Sequence, residues 1–191
     1  KSRNLVTIRL ARQIGINTVI ERARSLGLRA EFPRDLSVSL GSAAVTLMDL
    51  CQAYSAFARD GSTVHPRLVG RVVGPWGEEL YAPEALIQEG IGAQTAYIIT
   101  SLLQDVVRSG TGWRVRALGR PVAGKTGTTD DQKDAWFMGY APYLLTGVFV
   151  GFDQPQPMGK YETGSRAASP IWLHYRQKVE EEYPPVHFPQ P

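Results

Sequence analysis

Gly124-Lys125-Thr126-Gly127-Thr128-Thr129 is followed, after a short polar connection, by Asp134-Ala135-Trp136-Phe137-Met138-Gly139-Tyr140. Both stretches read as strands, and the apolar run that follows reads as a third. The expected spans are residues 121–129, 134–140 and 143–151. Ala141-Pro142 supplies a tight turn between the second and third. Connections this short cannot cross over, so the three strands form an antiparallel meander.

Upstream, the periodicity changes from strand to helix. Thr46 and Asp49 stand at capping-box spacing, with Asp in place of the usual Glu. Leu47, Leu50, Cys51, Tyr54, Phe57 and Ala58 then recur at three and four residues, one buried helical face that Gly61 ends. Before it, residues 5–14 read as a short helix ended by Gly15. Asn17 reads as the N-cap of a second helix that turns Ile20, Ala23 and Leu26 inward and stops at Gly27. Residues 29–45 show no period and read as a loop holding Ser39-Leu40-Gly41-Ser42. Residues 67–73 and 79–81 suggest a small hairpin around Gly74-Pro75-Trp76-Gly77. Residues 93–107 form a helix with Ala96, Ile99, Leu103 and Val106 on one face, broken by Gly110-Thr111-Gly112. Downstream of the meander, Ser169 as N-cap and Pro170 at the first helical position start a last helix through Ile171, Trp172, Tyr175 and Val179. Residues 183–191 are rich in proline and form a tail without regular structure. The expected organisation is one α+β unit over residues 1–182, a helical cluster packed on an antiparallel sheet that a C-terminal helix covers, then the tail.

Composition narrows the function. The 191 residues are 43% hydrophobic and 20% charged, as in a globular domain or a large piece of one. The net charge is +3 and its arginines are scattered, with no basic stripe and no interleaved aromatics, so no nucleic-acid partner is expected. No apolar run approaches the roughly 20 residues of a membrane helix. Cys51 is the one cysteine; it forms no internal disulfide and reads as a core residue. His65, His174 and His187 lie far apart, so neither a metal site nor a cofactor is expected. The chain opens at Lys1 without a methionine and enters helical periodicity almost at once, which suggests a fragment or a processed chain.

Only five lysines occur, which makes Lys125 conspicuous. An ammonium beside two hydroxyls is a good carboxylate receptor, with Lys125 supplying charge and Thr126 and Thr128 hydrogen bonds. Gly127 would let a ligand backbone come close to the strand. On an edge strand, an extended peptide could pair with the free backbone groups. The plainer reading of Lys125 is a solvated lysine that protects an edge. Ser2-Arg3-Asn4, at the first helix, puts a hydroxyl two residues before a carboxamide, a proton shuttle beside an amide anchor or simply an N-cap.

Ser-x-Asn followed by Lys-Thr-Gly, together with Ser-x-x-Lys, is the signature of penicillin-binding proteins and class A β-lactamases. The chain resembles the class A, bifunctional penicillin-binding proteins over nearly its whole length. The resemblance rests on Lys1-Ser2-Arg3-Asn4, Ser39-Leu40-Gly41-Ser42 with its following helix, Ser109-Gly110-Thr111-Gly112, and Gly124-Lys125-Thr126-Gly127-Thr128-Thr129. It extends through Asp134-Ala135-Trp136-Phe137-Met138-Gly139-Tyr140 and residues 164–172. It implies a partial domain of the serine β-lactamase and D,D-transpeptidase fold. It also implies peptidoglycan stem peptides ending in D-Ala-D-Ala, and β-lactams, as ligands. The parent protein would lie at the periplasmic face, held to the cytoplasmic membrane by an N-terminal anchor and carrying a glycosyltransferase domain.

The residue roles that the resemblance implies are these. Ser2 relays a proton toward the leaving amine, and Asn4 holds the substrate amide and the lysine of the first motif. Lys125, Thr126 and Thr128 take the terminal carboxylate. The N–H of Thr128 is an oxyanion donor, and Gly127 leaves room for the acyl chain. Asp134 and Trp136 read as structural, and Gly110 to Gly112 read equally as a site-lining loop or a turn. One departure weighs as much as the matches: no serine of the chain is followed three residues on by lysine. The nucleophile is therefore expected upstream of Ser2, and the chain alone is expected to be inactive until a missing segment completes it. Two other readings are a β-lactamase or D,D-carboxypeptidase, and a non-catalytic ligand-binding or scaffold fragment.

Overall fold

A computed structural model of the chain describes residues 2–189. Lys1, which opens the Lys1-Ser2-Arg3-Asn4 stretch, and the last two residues of the tail lie outside the described residues. In chain order the elements are α1 (Asn4–Ile14), α2 (Ile16–Ser25), α3 (Leu47–Ala58), β1 (Ser62–Val64), β2 (Val72–Val73), β3 (Glu79–Tyr81) and β4 (Ile87–Glu89). Then follow α4 (Ala93–Ser109), β5 (Ala123–Thr128), β6 (Asp134–Ala141), β7 (Leu144–Gly151) and α5 (Ser169–Val179). The architecture is α+β. The main sheet runs β5-β6-β7, all antiparallel, with Lys125 opposite Met138 and Gly127 opposite Trp136. Among the described residues β5 pairs only with β6, so the Lys-Thr-Gly strand is an edge.

The core lies between this sheet and the helices α4 and α5. Val107, Val115, Val122, Ala135, Phe137, Ala168 and Trp172 form one buried cluster. Trp172 is fully buried, and its ring meets Phe137 edge-on at 5.3 Å. Its Nε1–H donates to the carbonyls of Thr146 (3.1 Å) and Gly139 (3.3 Å). A buried indole needs such an acceptor, and truncating one in a core costs about 3–5 kcal/mol. Gly139 is glycine because the Trp172 ring occupies the place of its side chain, with Cε2 at 2.8 Å from a built Cβ. One turn later the buried Arg176 donates to the Leu144 carbonyl at 3.0 Å and pairs with Glu180. Arg120 meets the same carboxylate at 3.1 Å and donates to the carbonyl of Tyr183 at 2.7 Å. The α5 helix thus covers the sheet as its apolar spacing predicts. Residues 184–189 form no helix or strand, yet Phe188 meets Tyr140 edge-on at 5.6 Å.

Several local expectations are corrected. The N-cap position of α2 is Gly15, not Asn17; its φ of 93° lets α1 end and α2 start without a spacer. Thr46 does cap α3, accepting from the Asp49 N–H at 3.0 Å, but Asp49 does not reciprocate. Its buried carboxylate turns to the Arg29 guanidinium at 2.8 Å, a stronger donor than a backbone amide. Ser169 is not an N-cap: a π-helical turn, Gly164–Ala168, runs directly into α5, and the Ser169 hydroxyl donates to the Ser165 carbonyl at 2.9 Å. The loop over residues 29–45 contains a 3-10 turn, Leu36–Leu40, capped by Asp35. Cys51 is half-buried, and burial raises its thiol pKa. Two elements were not expected. The β1–β4 pair is closed by the Gly61 carbonyl, which accepts from Gly90 and Ile91 at 2.9 and 3.0 Å. The 3-10 helix Trp113–Leu118 buries Val115 completely.

Candidate functional site

The candidate site is the free edge of β5. Successive side chains of a strand alternate, so Lys125 and Gly127 share one face and Thr126 and Thr128 the other. Lys125 is half-buried, and its ammonium donates to the Thr126 carbonyl at 2.6 Å. It also donates to the Ser2 hydroxyl at 3.4 Å, across 123 positions of sequence. The fold therefore brings the Ser-x-Asn and Lys-Thr-Gly motifs into contact. Burial lowers the pKa of Lys125 below the ordinary value of lysine, because an ammonium is poorly solvated there.

Asn4 begins α1 and is exposed, and its carboxamide makes no hydrogen bond among the described residues. Arg3, not Ser2 or Asn4, takes the N-cap position of α1, and its side chain makes no cap bond. The N-cap reading of Ser2 and Asn4 is thereby excluded, and the Ser2 hydroxyl meets Lys125 instead.

The two threonines are each held by a partner from another element. Thr126 Oγ1 lies 2.7 Å from Thr111 Oγ1, in the loop after α4. Thr128 Oγ1 accepts from the Gly164 N–H at 3.0 Å. Gly164 heads the π-helical turn, a rare geometry often found at functional sites. It is packed so closely that a built Cβ would come within 3.0 Å of the carbonyls of Gly127 and Trp136. Gly127 also has a packing reason to be glycine, since its Cβ would stand 3.0 Å from Trp136 Cβ. Trp136 in turn packs on Phe149 with ring centroids 4.6 Å apart. Asp134 starts β6, and its N–H donates to Thr129 Oγ1 at 2.8 Å, a structural connection between two strands.

The sequence left Thr111 inside a stretch that reads equally as a site-lining loop or a turn, with no role of its own, and it gave Gly164 no role. A threonine between two glycines directly after a helix was the available signal for the first. Gly164 carried none beyond opening a stretch of resemblance, because its partners, the Thr128 hydroxyl and the backbone of Gly127 and Trp136, are distant in sequence. Among the described residues no group of His, Cys, Asp and Glu is arranged to hold a metal ion.

A family profile described as penicillin binding protein transpeptidase domain matches residues 1–172. Penicillin-binding protein 1A of Pseudomonas aeruginosa is 38% identical over 227 aligned residues, covering 92% of this chain and 28% of that protein. The crystal structure of penicillin-binding protein 1A from Haemophilus influenzae is alike in fold, with a TM-score of 0.93 at 24% identity over all of this chain and 35% of that one. PonA1 of Mycobacterium tuberculosis, solved in complex with penicillin V, has a TM-score of 0.75 at 26% identity over 88% of this chain and 51% of its own. The chain thus spans 28% of the length of the Pseudomonas relative that it matches.

Proposed function

The chain belongs to the penicillin-binding protein transpeptidase family, and on that premise we propose that it supplies the carboxylate-binding part of a serine D,D-transpeptidase site in a longer protein. The substrate is a peptidoglycan stem peptide ending in D-Ala-D-Ala, and β-lactams acylate the same site. The observation that carries this reading is the contact between Lys125 and Ser2, which joins two motifs of the signature at a free strand edge.

The chemistry is covalent acyl transfer. A serine hydroxyl, supplied by a segment outside this chain, attacks the carbonyl of the D-Ala-D-Ala bond. The carbon–nitrogen bond breaks, and the proton given up by the attacking hydroxyl reaches the departing D-Ala amine through Ser2. An amine of a second stem then attacks the acyl ester, and the serine recovers its proton as the cross-link forms. Lys125 attracts the terminal carboxylate through charge, and Thr126 and Thr128 donate hydrogen bonds to it. The Thr128 N–H stabilises the oxyanion together with the nucleophile's own N–H. Asn4 holds the substrate amide, and its carboxamide makes no other hydrogen bond among the described residues. Gly127 leaves the strand edge open to the acyl chain. The reaction takes place on the outer face of the cytoplasmic membrane, where the longer protein is anchored.

The test supplies the full-length protein with a D-Ala-D-Ala donor and an acceptor amine. A cross-linked product supports the transpeptidase. Release of D-Ala with only hydrolysed donor would instead make it a carboxypeptidase, and turnover of the β-lactam itself a β-lactamase.

A further inference from the structure

Resting on that reading, we infer that Thr111 is a positioning residue of the carboxylate subsite, fixing the direction in which the Thr126 hydroxyl donates its proton. A threonine hydroxyl has one proton to donate and lone pairs to accept with. If Thr126 gave its proton to Thr111, it would present only lone pairs to an incoming carboxylate and repel it. With Thr111 as donor across the 2.7 Å contact, the Thr126 proton is left for the ligand. Thr128 is arranged in the same way, and there the direction is unambiguous. The Gly164 N–H can only donate, so the Thr128 hydroxyl accepts at 3.0 Å and keeps its own proton free. Both hydroxyls of the strand thus receive a hydrogen bond from the protein.

The loop that carries Thr111 is built to hold it still. The N–H groups of Gly110 and Gly112 both donate to the Val106 carbonyl, at 3.0 and 3.1 Å. A side chain on Gly110 would stand 2.8 Å from that carbonyl oxygen, so the close return of the loop requires glycine there. Gly112 is buried against Val107 and Phe137. Thr111 is therefore presented by α4 and by the core, not by a free turn.

The experiment uses the full-length protein and compares acylation by benzylpenicillin with acylation by its methyl ester, which lacks the free carboxylate. Thr111→Val keeps the shape and removes the donor. It lowers the acylation rate constant for the acid about tenfold, the effect of weakening one hydrogen bond to a charged group, and leaves the slower reaction of the ester unchanged. Thr111→Ser restores the acid rate. Should the valine variant fail to fold, Thr111→Ala carries the same comparison. An unchanged acid rate, or an equal loss on acid and ester, would overturn the role of Thr111 while the transpeptidase reading stands. A wild-type protein that reacts with neither compound would overturn the reading itself.

Discussion

The ammonium of Lys125 donates to the hydroxyl of Ser2 at 3.4 Å, although 123 positions separate them in sequence. Receiving that bond, the Ser2 oxygen keeps its own proton free to pass on, as a relay to a leaving amine requires. Ser2→Ala in the full-length protein removes the proposed relay and is expected to lower acylation by a β-lactam about 100-fold, the lower end of what a positioned proton donor contributes. The fold is unaffected, since Ser2 is exposed and does not cap α1. Stopped-flow acylation with parallel thermal melts checks both halves.

Lys125 works against stability. Its pKa is lowered by burial, so the folded state disfavours the ammonium. The unfolded chain binds that proton more tightly, and the penalty is full at neutral pH. It lessens as pH rises through the lowered folded-state value and disappears above the ordinary value of 10.5. Lys125→Met therefore melts at a higher temperature than wild type at pH 7, and the gap narrows toward pH 10.5. The same variant loses acylation by benzylpenicillin. Melting curves taken across pH would contradict this if the variant were the less stable at neutrality.

Glu180 is the shared counter-charge of Arg176 and Arg120 and is itself buried. Glu180→Gln leaves the fully buried Arg176 without a negative partner. The loss is about 3 kcal/mol, as for one partner removed from a buried ion pair. Urea unfolding of the full-length protein measures it.

Gly164→Ala would force a Cβ within 3.0 Å of two β-strand carbonyls, backbone that cannot give way as a flexible side chain does. The cost is about 1–3 kcal/mol of stability. The shift also moves the N–H that orients Thr128, so acylation of the folded fraction falls as well. A variant of wild-type stability and wild-type rate would remove Gly164 from the site.

The meander, α3, α4 and α5 were legible because each is decided locally: alternation for the strands, a three-and-four spacing for the helices, and a proline for the turn, which the structure sets one residue later than expected, at Pro142-Tyr143, with Ala141 still paired to Leu144. Lys125 and its threonines stood out for the same reason, as an unusual composition in one short stretch. What escaped depends on partners distant in sequence. Asp49 is drawn from its own helix cap to Arg29, 20 residues away. The three-residue strands β1 and β4 are too short to show a period, and their pairing continues into the Gly61 carbonyl, which accepts from Gly90 and Ile91. Thr111 and Gly164 gain meaning only when β5 is set beside them. The glycine of Gly127 was read as room for a ligand, and it is also room for Trp136.

In the proposed function this chain holds the carboxylate-binding residues of the site, and the nucleophile lies elsewhere in the protein. Incubating the 21.0 kDa chain and the full-length protein with fluorescent penicillin, and weighing both intact, tests it most directly. The expected result is an unmodified chain and a full-length protein carrying one covalent adduct, mapped to a serine outside these 191 residues. A stoichiometric adduct on the isolated chain would contradict it and place the nucleophile among the serines of this sequence.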